Sequence, residues 1–279
     1  MMPTVTVAIP TLNRADYIFQ TIESVLAQTF SDFKIIIIDN ASTDNTHSII
    51  QSFSNDRLEY NCNNYQLSMI DNWNHALKLC NSDFICILGD DDQWLPEFLE
   101  RSISVLRNHS SVGFTFSHCN KVDLNGRFIQ RWGYNFPPPG LIKGYDYLEY
   151  TLKYGCCLTN SSTVMIRKKA LETVGLFQSI FACNTFDFNL WIRLASQFNV
   201  YFIDEVLANY RIHNQQASER HWRTSNSPTG ELGTTLESLY VVALLMQNRS
   251  YKNPDLLADQ LVRLASRQAR LMKLFVSDF

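Results

Sequence analysis

Along the first 120 residues, apolar runs of strand length alternate with stretches in which apolar residues recur every three or four positions. Val5, Val7 and Ile9 alternate with smaller or polar residues up to Pro10, which predicts a strand and then a loop. Ile18, Ile22, Val25 and Leu26 predict a helix within residues 15–29. Ile35-Ile36-Ile37-Ile38 is an unbroken β-branched run, as a strand covered on both faces requires, and Ser42-Thr43-Asp44 behind it has helix-capping chemistry. A short strand is predicted at 58–60 and a helix at 69–79, with Ile70, Trp73 and Leu77 on one face. Strands follow at 84–88 and 112–116, separated by a helix from Pro96 to Leu106. Repeated β-α-β units of this length predict an α/β fold with a doubly wound, mainly parallel sheet flanked by helices.

From about Asn120 the pattern weakens. Asn125-Gly126 is a hairpin-turn signal, and Pro137-Pro138-Pro139-Gly140 interrupts any regular element. Helical periodicity returns over 187–196, a short strand is expected at 200–203, and helices are expected at 232–247 and 255–275. The chain thus divides into residues 1–120, residues 121–215, and a helical C-terminal extension over 216–279. In the last helix, Leu257, Leu261, Leu264, Leu271 and Phe275 form one stripe beside Arg263, Arg267, Arg270 and Lys273. Such a helix packs on its own domain or a second subunit, or makes peripheral contact with the inner face of a membrane.

Composition narrows the class. In 279 residues, 46% hydrophobic content with 18% charged residues excludes wholesale disorder. A net charge of -3 argues against a dedicated nucleic-acid partner. No apolar run approaches the ~18–20 residues of a membrane span, and the start lacks signal-peptide character, so the expected location is the cytoplasm. Seven cysteines without framework spacing are expected to be small reduced core residues.

The chemistry concentrates at strand ends. Gly89-Asp90-Asp91-Asp92 follows an apolar strand, and three adjacent carboxylates repel one another unless a cation or a solvated turn accommodates them. Hard oxygen ligands suit Mg²⁺ or Mn²⁺, which commonly hold substrate phosphates as well. Two further loops, Pro10-Thr11-Leu12-Asn13-Arg14 and Asp39-Asn40-Ala41-Ser42-Thr43-Asp44, belong to the same edge of a parallel sheet. Asp39 is either a base or ribose contact or a cap for the next helix. No glycine-rich phosphate loop is present.

The order and spacing of these motifs, with Ser24-Val25-Leu26-Ala27-Gln28-Thr29-Phe30, Asp187-Phe188-Asn189-Leu190-Trp191-Ile192-Arg193-Leu194 and Tyr210-Arg211-Ile212-His213, resemble the inverting family 2 glycosyltransferases of the GT-A fold. The resemblance runs over about residues 4–215. It implies a nucleotide-sugar-binding half over 1–120, an acceptor and catalytic-base half of the same domain over 121–215, and transfer of a sugar from a nucleoside diphosphate donor, a UDP-sugar by preference, to a saccharide or lipid-linked saccharide acceptor. By position it implies Pro10, Thr11, Asn13, Arg14, Asp39 and Asp90 as donor-nucleotide contacts. Asp91, Asp92 and His213 become metal ligands for Mn²⁺ or Mg²⁺, with His213 alternatively a diphosphate contact, Arg211 a diphosphate contact or a residue that structures its loop, and Asp187 the catalytic base. Two positions depart from the family pattern: Gly89 stands where the first Asp of the DxD motif is usual, and Phe186 where an acid often precedes the base. The basic phosphate contact usual before the DxD strand is also missing, leaving Arg14, Arg211 and Arg220 as substitutes. Rival expectations are a nucleotidyltransferase and a non-catalytic carbohydrate-binding or scaffold protein with the same fold.

Overall fold

The computed structural model describes residues 3–133, 136–155, 160–178, 186–216, 228–247, 253 and 255–264. The strands are β1 (Val5–Thr11), β2 (Phe33–Asp39), β3 (Leu58–Cys62), β4 (Phe84–Ile87), β5 (Gln93–Trp94), β6 (Val112–Val122), β7 (Phe128–Trp132), β8 (Gly140–Ile142), β9 (Val164–Arg167) and β10 (Asn199–Arg211). The helices are α1 (Ile18–Leu26), α2 (Thr46–Gln51), α3 (Met69–Leu79), α4 (Phe98–Asn108), α5 (Gly144–Tyr154), α6 (Lys168–Val174), α7 (Phe186–Gln197), α8 (Pro228–Gln247) and α9 (residues 255–264).

All these strands join one sheet in the order β3-β2-β1-β4-β9-β6-β10-β5, with β7 on β6 and β8 on β10. The pairs β1–β2, β1–β4, β2–β3 and β6–β10 are parallel, and β9 runs antiparallel between β4 and β6. Six strands, β1, β2, β3, β4, β6 and β10, therefore point the same way, and their carboxyl ends share one edge. Strand β6 crosses residue 120, so both halves of the chain belong to one sheet.

The isoleucine run explains the layering. Ile35 and Ile37 enter one core with Val5, Val7, Ile9, α1 and α4, while Ile36 and Ile38 enter the other with Ala8, Ile85, Ile87, α3, α5 and α7. All four isoleucines are buried, each contributing about 1.5–3 kcal/mol by removal from water. Gly144, at the start of α5, permits a close helix crossing: a Cβ there would lie 1.9 Å from the Ala195 carbonyl oxygen on α7. That packing fixes the angle of α7, whose first turn carries Asp187.

The last helical stretch faces the body where it is described, since Leu257 and Leu264 are buried in the core with α5 and α7. Residues 265–279, including Arg267, Arg270, Leu271, Lys273 and Phe275, lie outside the described residues. No helix among the described residues is long and apolar enough to cross a membrane. Cys80, Cys86 and Cys119 are buried as expected, but Cys62 is exposed because it ends the outermost strand β3. Cys156, Cys157 and Cys183 fall outside the described residues.

Candidate active site

Strand β1 runs through Pro10 to Thr11 rather than stopping at the proline. The reason is one-sided pairing. Pairing with β4 ends at Ala8–Ile87, so the missing N–H of Pro10, on that side, costs no ladder bond. Thr11 stands in register with Asp39, and the loops beyond them are cross-linked: the Asn13 N–H donates to Ser42 Oγ (2.8 Å) and the Thr43 N–H to Asn13 Oδ1 (2.8 Å). Asn13 (φ 53°) and Ala41 (φ 60°) both sit in the left-handed region, which asparagine tolerates and alanine does not favour. Such local strain persists only where neighbours hold it in place.

Asp39 is buried, accepting from the Ser42 N–H (2.8 Å) and the Tyr60 hydroxyl (2.8 Å). The N-cap of α2 is Asn45, one residue past Ser42-Thr43-Asp44, and it makes no side-chain cap bond. Asp44 instead takes the Thr46 N–H (3.0 Å) and the Ala15 N–H (3.1 Å), tying this loop to the one after β1.

The acidic triplet is folded into a turn closed by the Asp92 N–H donating to the Gly89 carbonyl (3.1 Å). The turn sends its carboxylates to different partners. Asp90 accepts from Arg14 Nε (3.1 Å) and the Leu12 N–H (3.2 Å). Burial, then the neighbouring Asp91 charge, push its carboxyl up to about 6. Asp91 lies 2.9 Å from His213 Nε2 and 3.6 Å from Arg14 Nε. The His213 ring packs 4.5 Å from Tyr17, and its Nδ1 is buried without a hydrogen-bond partner.

Asp92 and Arg211 are enclosed by protein groups. Asp92 is only 3% exposed and accepts from Ser162 Oγ (2.6 Å), Asn160 Nδ2 (3.2 Å) and the Arg211 N–H (3.1 Å), so three protein donors surround its carboxylate. Burial and Asp91 push its carboxyl well up. Arg211 is 0% exposed; its guanidinium donates to the carbonyls of Asp91 (3.0 Å) and Leu124 (2.7 Å) and to Gln20 Oε1 (2.6 Å), which ties the acidic turn to the loop after β6. Gly89 fits this packing: a Cβ there would approach Asp92 Oδ2 (3.1 Å), Asp91 Oδ1 and Ser162 Oγ (both 3.3 Å). Any side chain at position 89 would press on these three atoms by a few tenths of an ångström.

Among the described residues, no three His, Cys, Asp or Glu side chains gather to hold a cation alone. The Asp91–His213 pair still fits one of the magnesium type, because such ions take few protein ligands and fill the remaining positions with water and substrate phosphates.

Asp187 lies in the first turn of α7, and α7 runs back toward the start of β10, which brings its N-terminus to the carboxyl edge of the sheet. Phe186 is buried edge-on against Trp73 (5.4 Å) and Phe177 (5.2 Å). Burial pushes the Asp187 carboxyl up, partly offset by the Phe188 N–H donating to Oδ1 at 2.7 Å. Arg193, two turns on, donates to the carbonyls of Val174 (2.6 Å) and Leu176 (2.7 Å), so the Asp-Phe-Asn-Leu-Trp-Ile-Arg run and Val174-Gly175-Leu176-Phe177 form one anchored unit.

Residues 6–175 match the family model described as glycosyl transferase family 2. The chain belongs to that family. This glycosyltransferase is 26% identical over 226 residues to the UDP-Glc:alpha-D-GlcNAc-diphosphoundecaprenol beta-1,3-glucosyltransferase WfaP of Escherichia coli, covering 80% of this chain and 82% of that one. Among solved structures it resembles S. aureus TarS 1-349 in complex with UDP-GlcNAc, with a TM-score of 0.67 at 18% identity over 92% of this chain and 71% of that one. It also resembles the mannosyltransferase PcManGT from Pyrobaculum calidifontis in complex with GDP-Man and Mn2+, with a TM-score of 0.63 at 16% identity over 100% and 80% of the two chains. At those identities the likeness speaks for the GT-A fold. The family 2 fold is thus present with its helical C-terminal segment.

Several residues of this glycosyltransferase's site carried no signal in the sequence. Ser162 and Asn160 brace Asp92, Tyr60 holds Asp39, and Tyr17 covers His213. The register of β2 with β3 could have brought Tyr60 near Asp39, had the strand been long enough to align; nothing in the sequence points to Ser162. Trp94 and Trp191 are core residues, while Trp132 packs on Tyr210 (4.2 Å). Arg220 and Trp222 lie outside the described residues.

Proposed function

We propose that this family 2 enzyme is a metal-dependent, inverting transferase that moves a sugar from a UDP-sugar to a hydroxyl of a lipid-linked saccharide or growing polysaccharide. The observation carrying this reading is the Asp91–His213 pair, 2.9 Å apart, at the sheet edge that also receives Asp187. The donor and acceptor classes are supported by the named activity of WfaP and the UDP-GlcNAc complex of TarS, and metal use by the Mn2+ complex of PcManGT.

In this reading Pro10, Thr11, Asn13, Asp39 and Asp90 shape the nucleotide pocket, and Arg14, which neutralises Asp90 and Asp91, lies beside the diphosphate. Asp91 and His213 hold Mn²⁺ or Mg²⁺. A divalent cation supplies positive charge against the negative charge that develops on the leaving diphosphate. The acceptor oxygen bonds to the anomeric carbon as the bond from that carbon to the diphosphate oxygen breaks, inverting configuration. Asp187 takes the hydroxyl proton, and its raised pKa strengthens it as a base near neutrality.

Replacing Asp187 with Asn tests the assignment. Transfer should fall by about 10²–10⁴-fold, the usual contribution of a positioned base, while the thermal shift with UDP and Mn²⁺ is kept. The sign of the pH dependence follows: only ionised Asp187 accepts the proton, so wild-type kcat/KM declines as pH falls through a value above the ordinary carboxylate range. Unchanged turnover in the variant removes Asp187 from the mechanism. Pyrophosphate release from a nucleoside triphosphate and a sugar phosphate would replace this reading with nucleotidyl transfer.

A further inference from the structure

We propose that the β6–β7 hairpin is a docking wedge for an anionic lipid surface, seating the active site beside the membrane that carries its acceptor. The purpose of the wedge rests on the lipid-linked acceptor reading above, but its binding does not. Three of the eleven large hydrophobic side chains exposed among the described residues, Leu124 (53%), Phe128 (65%) and Ile129 (51%), fall within six residues of chain at this hairpin tip. Such clustering, unlike single exposed apolar residues, marks a surface that meets something. Among the described residues strand β7 pairs only with β6, and the successive residues 128–131 are all exposed, so both its faces are open.

The charge around the tip selects the occupant. Arg127 and Arg131 are exposed on the hairpin, and Lys121 sits over the Trp132 ring (4.7 Å). The one acid of the turn, Asp123, faces inward on its own loop, accepting from the N–H groups of Asn125 (2.9 Å) and Arg127 (2.8 Å). Arg127 has no carboxylate partner among the described residues; Arg131 pairs with Asp204 at 3.4 Å. Large apolar side chains flanked by cations match the boundary between anionic headgroups and acyl chains.

The wedge is stiff and joined to the site. The turn closes through the Asp123 N–H to the Arg127 carbonyl (2.9 Å) and the Gly126 N–H to the Asp123 carbonyl (3.0 Å), with Gly126 at φ 79°. Arg211, two residues before His213, holds the Leu124 carbonyl at 2.7 Å and the Asp91 carbonyl at 3.0 Å. The tip and the Asp91 loop are therefore fastened to one guanidinium. A membrane seated on Leu124, Phe128 and Ile129 lies next to the crevice.

Co-sedimentation of the full chain with phosphatidylcholine vesicles, with and without phosphatidylglycerol, tests this without donor or acceptor. Wild type should bind the anionic vesicles. Phe128→Ser with Ile129→Ser should weaken that binding about tenfold or more, since it removes the buried apolar anchors. Arg127→Gln should weaken it about fivefold on anionic vesicles and not on neutral ones, one cation's share of the surface attraction. A retained thermal shift with UDP shows that the variants are folded. Failure of wild type to bind, equal binding by the Phe128/Ile129 variant, or loss of binding in Leu261→Ser instead would overturn the proposal. So would a wild-type dimer that the hairpin variant splits, which would make a second copy the occupant. Vesicle binding without transfer leaves the wedge standing and sinks the proposed reaction; transfer to a soluble acceptor without vesicle binding does the reverse.

Discussion

Asp91 and Asp92 are adjacent, and Arg211 and His213 are two residues apart, yet the two resulting pairs do different work. Asp91 and His213 face each other, with Arg14 beside Asp91 alone, and the buried His213 Nδ1 has no hydrogen-bond partner. Asp92 and Arg211 are enclosed: the carboxylate has three protein donors, and the guanidinium is spent on three backbone carbonyls and Gln20. A buried ionic group with every bond made fixes geometry, whereas one left partly open can take a ligand. The turn through Gly89 to Asp92 separates the two roles, and Thr21 Oγ1 secures it by donating to the carbonyls of Asp90 (3.1 Å) and Asp92 (2.8 Å). An acidic cluster can thus be half enclosed by protein donors and half open to the crevice.

Arg211→Met is the strongest way to break that division. It keeps part of the aliphatic stem but leaves the Asp91 and Leu124 carbonyls and Gln20 without their donor and releases the hairpin turn, so unfolding should become easier by about 3 kcal/mol, at about 1–3 kcal/mol for each acceptor left unpaired. Chemical denaturation measures this directly. If Arg211 instead served the diphosphate, stability would hold while the KM for the donor rose.

Asp91→Asn probes the other pair. Transfer should drop about a hundredfold, on the scale of losing one charge-stabilising group at a reacting centre. The melting temperature should barely move, because Asp91 has few protein partners to lose. A large fall in stability with normal activity would exchange the roles assigned to Asp91 and Asp92.

The same contrast explains what could be read from the chain. Strands β1, β2 and β4 announce themselves because parallel, doubly covered strands must be apolar throughout, and α3 is marked by Trp73 and Leu77 at helical spacing. Strand β10 was visible only at residues 200–203. It continues to Arg211 through a register shift between Ile203 and Val206, where Asp204 and Glu205 turn outward and interrupt the apolar pattern. Strand β6 likewise outruns its signal, since Ser117, His118 and Asn120 are polar residues within the sheet. Short β9 and helix α5 escaped notice because their burial depends on partners distant in sequence. At the site, the three loops were legible as a set. The assignment within the Asp triplet was not, since three identical letters are distinguished only by a turn and by Ser162, seventy residues later.

Gly89→Ala is the smallest perturbation that presses on both pairs at once. The added Cβ would sit 3.1 Å from Asp92 Oδ2, 3.3 Å from Asp91 Oδ1 and 3.3 Å from Ser162 Oγ, each a few tenths of an ångström too close. Its neighbours must give way, at a cost of about 1 kcal/mol, toward the low end for a methyl forced into a packed site. Which side gives way is measurable. If Asp92 and Ser162 shift, the melting temperature falls and Mn²⁺ dependence is unchanged; if Asp91 shifts, stability holds and more Mn²⁺ is needed for half-maximal rate. Asp92 is held by three donors and Asp91 has the open crevice beside it, so Asp91 should move. A Ser162→Ala change in the Gly89→Ala background should then leave the altered Mn²⁺ requirement in place, because the contact it relieves belongs to the frame.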